Sequence, residues 1–261
     1  MLPSAPSTPV LAITHGVATL TLNRPEHRNR LEDADLHALL QAFAQIDADP
    51  AVRVLVLTAN TRGQPRPVFS AGYHIGGFDG AAHDPQLFEK IPDALAALRP
   101  VTICALNGSV YGGATDLVLA CDLRIGLAGT ELRMPATALG LHYYPSGLQR
   151  FVARLGINGA KRAFLTARPF SAERLLHMDC LEALASSPEG FAQALAELVD
   201  DVARLAPLAV QATKQSLDEI STGRASLAAL RAREALTAAS ADFAEGRAAF
   251  LEKRAPRFTG R

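Results

Sequence analysis

Short apolar segments separated by polar loops divide the first half of the chain. Such segments are typical of buried strands, and five are predicted, at residues 10–13, 17–22, 52–57, 101–106 and 121–127. Between the second and third of them, apolar residues recur at helical spacing from Leu36 to Ile46, with Asp33 as the predicted N-cap. Another helix is predicted over 85–98. Because strands and helices alternate, the pattern predicts an α/β core with right-handed crossovers.

The pattern becomes helical after Pro145. Apolar residues then step by three and four positions, which predicts an amphipathic helix. The residues of this stripe are Phe191, Leu195, Leu198, Val202 and Leu205. Further helices are predicted over 207–220, 225–238 and 240–253. We therefore divide the chain into an α/β core over residues 1–200 and a helical region over 201–261, which forms either a separate layer or an oligomer-forming arm.

Composition and charge exclude several classes of partner. The 261 residues include 26 basic and 26 acidic side chains, and this neutral balance argues against a nucleic-acid surface. No apolar run reaches the roughly 20 residues that cross a bilayer, and the N-terminus lacks the features of a signal peptide. Cys104, Cys121 and Cys180 have no CxxC spacing. We therefore expect a cytoplasmic protein with reduced thiols, no metal site, and neither a nucleic-acid nor a membrane partner.

The stretch NGSVYGGATDLVLACD, residues 107–122, begins polar and glycine-rich and continues as an apolar helix. The first N–H groups of a helix lack intrahelical acceptors, so the Gly113 N–H can stabilise a developing oxyanion. Asp116 lies three residues further, on the same face. A second glycine-rich segment, FSAGYHI at 69–75, offers the Tyr73 N–H. Two backbone donors and a nearby carboxylate are the groups needed to form an enolate from a thioester.

Each of these features also has a purely structural explanation. An acidic residue in the first turn of a helix stabilises it by about 0.3–1 kcal/mol without any catalysis. The pair Gly112 and Gly113 is as typical of close packing, and Gly72 of a turn. Local spacing therefore leaves both interpretations of Asp116 open.

Five segments of the chain together resemble the enoyl-CoA hydratase/isomerase, or crotonase, superfamily. They are LTLNRPEHRNRL (20–31), FSAGYHI (69–75), ALNGSVYGGATDLVLACDLRI (105–125), GLQRFVARLGINGAKRAFLTARPFSAERL (147–175) and EGRAAFLEKRAPRFTGR (245–261). Their order along the chain is that of the family. The resemblance implies a crotonase-like spiral of ββα units, with C-terminal helices that mediate trimers or hexamers. It also implies an acyl-CoA thioester substrate and no cofactor, since coenzyme A is part of the substrate.

The same resemblance implies roles for individual residues. The Tyr73 and Gly113 N–H groups take the two oxyanion positions, and Asp116 takes the place of a catalytic glutamate. The residues at positions that contact CoA in the family are His27, Arg28, Phe69, Ala71, Gly72, Ile75, Lys253 and Phe258. For the basic residues among them, a solvated surface is an equally good explanation.

Three departures from the family pattern limit which of the family's reactions we expect. Hydratases of the family carry a second glutamate, whose position here is Ala136. In the next segment, HYYPSG (142–147), Tyr143 matches a tyrosine of the methylmalonyl-CoA decarboxylase branch, which also lacks that glutamate. His74 stands where an aspartate is common. Because imidazole titrates near neutral pH, His74 or His142 could replace the missing acid–base group; packing or solvation is the alternative role for these side chains.

We therefore predict an enzyme in which Asp116 is the single carboxylate acid–base group and Tyr143 a further catalytic residue. With one carboxylate, the predicted reaction is isomerase-like or that of an atypical hydratase. The alternatives are an acyl-CoA decarboxylase of the methylmalonyl-CoA type and a weakly catalytic acyl-CoA-binding protein.

Overall fold

The computed structural model describes residues 8–74, 84 and 86–261. The strands are β1 (Val10–Thr14), β2 (Val17–Leu22), β3 (Val54–Ala59), β4 (Val68–Ser70), β5 (Val101–Leu106), β6 (Ser109–Tyr111), β7 (Leu123–Leu127), β8 (Glu131–Arg133), β9 (Phe170–Ser171) and β10 (Ala183–Ala185). The helices are α1 (Asp33–Ala48), α2 (Leu87–Ala96), α3 (Ala114–Ala120), α4 (Pro145–Thr166), α5 (Ala172–His177), α6 (Pro188–Ala203), α7 (Pro207–Ser221), α8 (Leu227–Ala238) and α9 (Ala241–Glu252).

The larger sheet has the strand order β1-β2-β3-β5-β7-β10. β1 and β2 form an antiparallel hairpin, and the remaining neighbours pair in parallel. β5 is buried at every position, as a parallel strand is when helices cover both faces of the sheet. The predicted alternation of strands and helices is confirmed in this sheet.

A second sheet of short strands, ordered β4-β6-β8-β9, lies outside the predicted elements. Its strands have two or three residues each, too few for a hydrophobic period to show in the sequence. β4 and β6 are parallel, with Val68 paired to Ser109 and Ser70 to Val110. Tyr73 follows the C-terminal end of β4, and Gly113 follows the C-terminal end of β6. Because the two strands are parallel, both segments leave the sheet at the same end.

The predicted apolar stripe of α1 is buried against the core. The N-cap of this helix is Glu32 and not the predicted Asp33, which is its first helical residue. The Glu32 N–H donates to Asp35 Oδ2 at 2.9 Å, as in a capping box. α4 is interrupted at Gly156, whose φ of 67° divides it into two helical parts.

The two faces of the larger sheet pack into separate apolar clusters. Leu55 and Leu57 of β3 face the cluster that contains α1, α2 and α3. Val54 and Val56 face the other, where Phe191 of α6 covers the sheet. Because α6 ends at Ala203, the predicted boundary between residues 200 and 201 falls inside a helix that packs on the core.

α7, α8 and α9 form the predicted C-terminal helical region. Asp242 at the start of α9 holds the end of the chain, because its carboxylate accepts the N–H of Thr259 at 2.7 Å and of Gly260 at 2.8 Å. Phe250 and Leu251 of α9 are 83% and 78% exposed, so this region leaves apolar side chains on the surface. In the described part of the chain, no helix has the length and hydropathy to cross a bilayer.

Candidate active site

Gly72 and Gly112 bring the two predicted donor segments into contact. Gly72 has a φ of +95°, and a Cβ built on it would lie 2.8 Å from Tyr111 O and 3.3 Å from Gly112 Cα. Main chain therefore packs directly on main chain, which only glycine permits at this position. Tyr73 and Gly113 follow the two glycines, so their N–H groups lie beside this contact.

Gly113 is the N-cap of α3 and is covered by the ring of Phe88. A Cβ built on Gly113 would fall 2.7 Å from Phe88 Cζ. The Phe88 ring also stacks on Tyr73, with a centroid distance of 5.3 Å. Among the residues that the structure describes, none accepts a hydrogen bond from the Gly113 N–H. As far as the described residues go, this N–H is left for a ligand oxygen, beside the rings of Phe88 and Tyr73.

Asp116 is a fully buried carboxylate with three hydrogen-bond donors around it. Its side chain is 0% exposed. Arg150 Nε donates to Oδ1 at 2.8 Å, and Arg150 Nη2 donates to Oδ2 at 3.2 Å. The Tyr144 hydroxyl donates to Oδ2 at 2.5 Å. Because a buried charge is very unfavourable unless it is paired and hydrogen-bonded, these contacts allow Asp116 to lie inside the protein.

Arg150 is a site residue that the sequence analysis missed. It lies on α4 between the buried Gly147 and Phe151, so the signal for it is a basic side chain on the buried face of a helix. Arg150 is 12% exposed, and its Nη2 also donates to Asp93 Oδ1 at 2.9 Å. Asp93 belongs to α2, so the guanidinium links α2, α3 and α4 around Asp116.

The two tyrosines before α4 differ in their contacts with the carboxylate. The prediction named Tyr143, whose ring is 6% exposed and packs on Phe151 and Phe164. Its hydroxyl donates to the Tyr144 oxygen at 2.9 Å, and Tyr144 is the residue that contacts Asp116. Tyr143 is therefore the second member of a hydroxyl chain, behind Tyr144, and a catalytic role for it stays a prediction.

Burial and neighbouring charges set the protonation of this cluster. Burial raises the pKa of Asp116, and the charge and N–H groups of Arg150, with the Tyr144 hydroxyl, oppose this rise. Burial also raises the pKa of Tyr144, and the negative charge of Asp116 raises it further. The pKa of Tyr143 is raised for the same two reasons. At neutral pH both phenols therefore keep their protons, and the Tyr144 hydroxyl donates its hydrogen bond to the Asp116 carboxylate.

A family model described as enoyl-CoA hydratase/isomerase matches residues 12–261 of the chain. This protein belongs to the enoyl-CoA hydratase/isomerase family. It is 33% identical over 255 residues to 2,3-dehydroadipyl-CoA hydratase of Escherichia coli, covering 94% of this chain and 96% of that protein. It is 27% identical over 253 residues to methylmalonyl-CoA decarboxylase of Escherichia coli, covering 94% and 95%.

The crystal structure of enoyl-CoA hydratase from Bacillus anthracis superimposes on this family member with a TM-score of 0.85. The two share 26% identity, and the match covers 97% of this chain and 99% of that chain. The agreement confirms the predicted crotonase-like α/β fold with its C-terminal helices.

This enoyl-CoA hydratase/isomerase family member has an alanine, Ala136, at the position where the family resemblance implies a second glutamate. Ala136 is buried at the start of a short 3-10 helix, Ala136–Leu139. His74 and His142 are both exposed. In the described chain the side-chain partners of Asp116 are Arg150 and Tyr144, so an acid–base role for either histidine stays a prediction.

The predicted CoA-binding residues near the donors differ in exposure. His27, Arg28 and Ala71 are exposed, and the Ala71 N–H donates to Arg28 O at 2.9 Å, so their two segments lie side by side. The Phe69 ring is fully buried in the core. Because the ring is buried, a contact of Phe69 with CoA would involve its main chain, and that contact stays a prediction. Gly72 forms the glycine contact described above.

The remaining predicted CoA-binding residues are Ile75, Lys253 and Phe258. Ile75 lies outside the described residues. Lys253 is exposed at the end of α9. Phe258 O accepts a hydrogen bond from Arg53 Nη2 at 2.8 Å, and its ring lines a cavity of about 580 Å³ beside α9. For all three residues a contact with CoA stays a prediction.

The three cysteines, Cys104, Cys121 and Cys180, are buried with free thiols. Burial raises the pKa of Cys104 and of Cys180, which favours the unreactive thiol form. Among the described residues, no group of three His, Cys, Asp or Glu side chains could hold a metal ion.

Gly147 gives the two tyrosine rings room to fold against the first turn of α4. A Cβ built on Gly147 would fall 2.7 Å from Tyr144 Cε2 and closer still to the Tyr143 ring. Gly147→Ala is expected to lower the free energy of unfolding by about 1–3 kcal/mol through overpacking. The change should also displace Tyr144 from Asp116. Urea denaturation measures the loss of stability.

Gly190→Ala is the matched control, because Gly190 is the third residue of α6 as Gly147 is of α4, and both helices begin with proline. A Cβ at Gly190 would meet Ser187 Oγ at 3.6 Å, an ordinary contact. Replacing a helical glycine by alanine there should stabilise the protein by about 0.5–1 kcal/mol. Two equally stable variants would show that the tyrosines do not pack against Gly147 in solution.

Proposed function

We propose that this protein forms an enolate from an acyl-CoA thioester and moves a proton on the acyl chain, as a double-bond isomerase or an atypical hydratase. The Tyr73 and Gly113 N–H groups stabilise the thioester oxygen as it becomes negative. Asp116 is the single carboxylate that accepts and returns the proton. The observation that carries the proposal is this buried carboxylate, held by three donors, three residues after Gly113.

One carboxylate is enough for isomerisation, since the group that removes a proton from one carbon can return it to another. Hydration also needs a group that activates water, and Ala136 has no such group. Removing one donor from an oxyanion site typically costs about 2.7–4 kcal/mol of transition-state stabilisation. A positioned acid–base residue contributes about 10²–10⁴-fold in rate. Both effects are large enough to detect in single variants.

Decarboxylation is the second candidate, favoured by the hydroxyl groups of Tyr143 and Tyr144 beside Asp116. In that reaction the loss of CO₂ supplies the enolate, so no base is needed and a phenol can protonate the product. Similarity to methylmalonyl-CoA decarboxylase over nearly the whole chain supports this candidate. A weakly catalytic acyl-CoA-binding protein would instead bind such esters and leave them unchanged.

A panel of CoA esters incubated with the protein in D₂O tests the proposal. The panel holds 2-enoyl, 3-enoyl, saturated and methylmalonyl esters, and mass spectrometry follows deuterium uptake, hydration, isomerisation and loss of CO₂. We expect exchange or isomerisation in the wild type and about 10²–10⁴-fold less in Asp116→Asn. Asp200→Asn, at an exposed position of α6, is the control and should behave as the wild type.

The other outcomes separate the candidates. Loss of CO₂ that persists in Asp116→Asn would favour decarboxylation and remove Asp116 from the essential groups. Binding of every ester without turnover or exchange would favour the binding protein. Equal isomerisation in Asp116→Asn and the wild type would contradict the acid–base role of this residue.

We also propose that the chain acts in the cytoplasm as a homotrimer or as a hexamer. Exposed apolar side chains on α8 and α9, such as Leu227, Phe250 and Leu251, support an assembly, because such patches usually mark interaction sites. Free thiols support a reducing compartment. Light scattering during size-exclusion chromatography measures the molar mass of the particle. The mass of a monomer would contradict the proposed assembly.

A further inference from the structure

Asp116 has no surface with which to touch a substrate. Its side chain is 0% exposed, and both carboxylate oxygens are hydrogen-bonded inside the protein. A proton can therefore pass between this carboxylate and an acyl chain only through a group that binds the carboxylate. Burial lowers the pKa of Arg150, but the charges and hydrogen bonds of Asp116 and Asp93 together raise it above its usual value, so Arg150 keeps its protons. The Tyr144 hydroxyl is the remaining group.

Tyr144 lies between Asp116 and the ring of Phe88, which packs beside the two proposed donors. It is half-buried, and its ring centroid is 6.3 Å from that of Phe88. Phe88 covers Gly113 and stacks on Tyr73. The rings of Tyr73, Phe88 and Tyr144 thus form a row from the two proposed oxyanion donors to the Tyr144 hydroxyl. An acyl chain whose thioester oxygen is bound by those donors can lie along this row.

We propose that Tyr144 is the catalytic residue that exchanges the proton with the acyl chain, and that Asp116 is the positioned acceptor behind it. This proposal rests on the enolate chemistry proposed above. In the first half of the reaction a C–H bond of the acyl chain breaks and its proton forms an O–H bond with Tyr144. The original Tyr144 proton moves at the same time to Asp116 Oδ2, and the electron pair left on carbon becomes the enolate.

In the second half of the reaction the protons move in the opposite direction. The Tyr144 proton passes to the acceptor carbon of the enolate, and Asp116 returns its proton to the Tyr144 oxygen. Tyr144 is therefore neutral before and after each transfer. The negative charge resides on Asp116 in the resting site and on the thioester oxygen in the enolate, where the Tyr73 and Gly113 N–H groups stabilise it.

The surroundings of Tyr144 favour such a relay over a free tyrosinate. Burial and the charge of Asp116 raise the pKa of Tyr144, so loss of its proton without replacement is strongly disfavoured. The Tyr143 hydroxyl donates to the Tyr144 oxygen at 2.9 Å, which leaves the Tyr144 proton directed at Asp116. Burial raises the pKa of Asp116 as well, which makes the protonated intermediate more accessible.

Tyr144→Phe and Tyr143→Phe form a matched pair that tests the relay, because each removes one hydroxyl from the same pair of rings. The rate of α-proton exchange between a saturated acyl-CoA ester and D₂O is followed by mass spectrometry. Tyr144→Phe is expected to lower this rate by about 10²–10⁴-fold and to leave the dissociation constant of the ester unchanged. Tyr143→Phe should lower it by less than about tenfold, the effect of one hydrogen bond.

Combining Tyr144→Phe with Asp116→Asn separates a relay from direct transfer. Residues that act as a unit are strongly non-additive, so the double variant should be no slower than Asp116→Asn. Wild-type exchange in Tyr144→Phe beside slow exchange in Asp116→Asn would show that Asp116 reaches the substrate directly, and would overturn the relay. No exchange of any ester by the wild type would instead refute the enolate chemistry itself.

A solvent isotope effect tests the relay without any substitution, and so does not depend on how the variants fold. The relay moves the exchangeable Tyr144 proton in the step that breaks the C–H bond, whereas direct transfer to Asp116 moves no exchangeable proton in that step. An ester tritiated at the α-carbon should therefore lose its label more slowly in D₂O than in H₂O. Equal rates in the two solvents would exclude the relay.

Discussion

Arg150→Met is expected to lower the free energy of unfolding by about 3–5 kcal/mol. The substitution keeps much of the apolar volume but removes the cation, so Asp116 retains Tyr144 as its side-chain donor in a site without exposed surface. Breaking a buried ion pair is strongly destabilising because the remaining charge is neither paired nor hydrated. Urea denaturation followed by circular dichroism measures the loss.

Arg154→Met, one turn further along α4, is the matched control. The Arg154 guanidinium lies 3.7 Å from Asp218, and the two side chains are 28% and 34% exposed. A pair that water reaches is expected to contribute only about 0–1 kcal/mol. Combining Arg150→Met with Asp116→Asn should recover stability, since the unpaired charge is then removed. Equal losses in the two arginine variants would contradict our account of the Asp116 cluster.

The loss in Arg150→Met should also depend on pH. Without Arg150, burial holds the pKa of folded Asp116 further above the value of an unfolded aspartate, about 3.9. A carboxyl group whose pKa is raised on folding stabilises the folded state when it is protonated, and this contribution is lost as the pH rises through the folded pKa. The difference between Arg150→Met and the wild type should therefore be largest at neutral pH and shrink as the pH falls toward about 4.

The larger sheet and most helices could be predicted from the sequence because their apolar patterns extend over many residues. β5 is apolar along nearly its whole length and buried at every position. The smaller sheet could not be predicted, since a strand such as β4 has only three residues and pairs with residues far along the chain. Yet this sheet brings Gly72 to Gly112, so the least predictable part of the fold positions the two proposed donors.

Some residues of the candidate site can also be found from the sequence, whereas others depend on tertiary packing. Gly113 and Asp116 lie three residues apart at the start of one helix, a spacing that can be read locally. Arg150 and Tyr144 follow Asp116 by 34 and 28 residues, so their approach depends on how α4 packs against α3. Tyr143 and Tyr144 are adjacent residues of the same type. Packing around the first turn of α4 decides which hydroxyl reaches the carboxylate, and no local pattern contains that information.

Gly72→Ala is expected to disrupt the contact between the two donor segments and to lower turnover of CoA esters by about 10²–10³-fold. The new Cβ would lie 2.8 Å from Tyr111 O at a φ of +95°, so the backbone must move. Since Tyr73 follows immediately, that movement shifts its N–H relative to the Gly113 N–H. The free energy of unfolding should fall by about 2–4 kcal/mol, from backbone strain and overpacking together.

Gly63→Ala separates these two causes. Gly63 also has a positive φ, +78°, but a Cβ there meets no atom within 4 Å. This variant therefore carries backbone strain of about 1–2 kcal/mol without a collision, and it should turn over CoA esters as the wild type does. Deuterium exchange and urea denaturation measure both variants side by side. If Gly72→Ala exchanged as fast as Gly63→Ala, the close approach of Gly72 to Gly112 would not position the Tyr73 N–H, and an oxyanion role for Tyr73 would lose its structural basis.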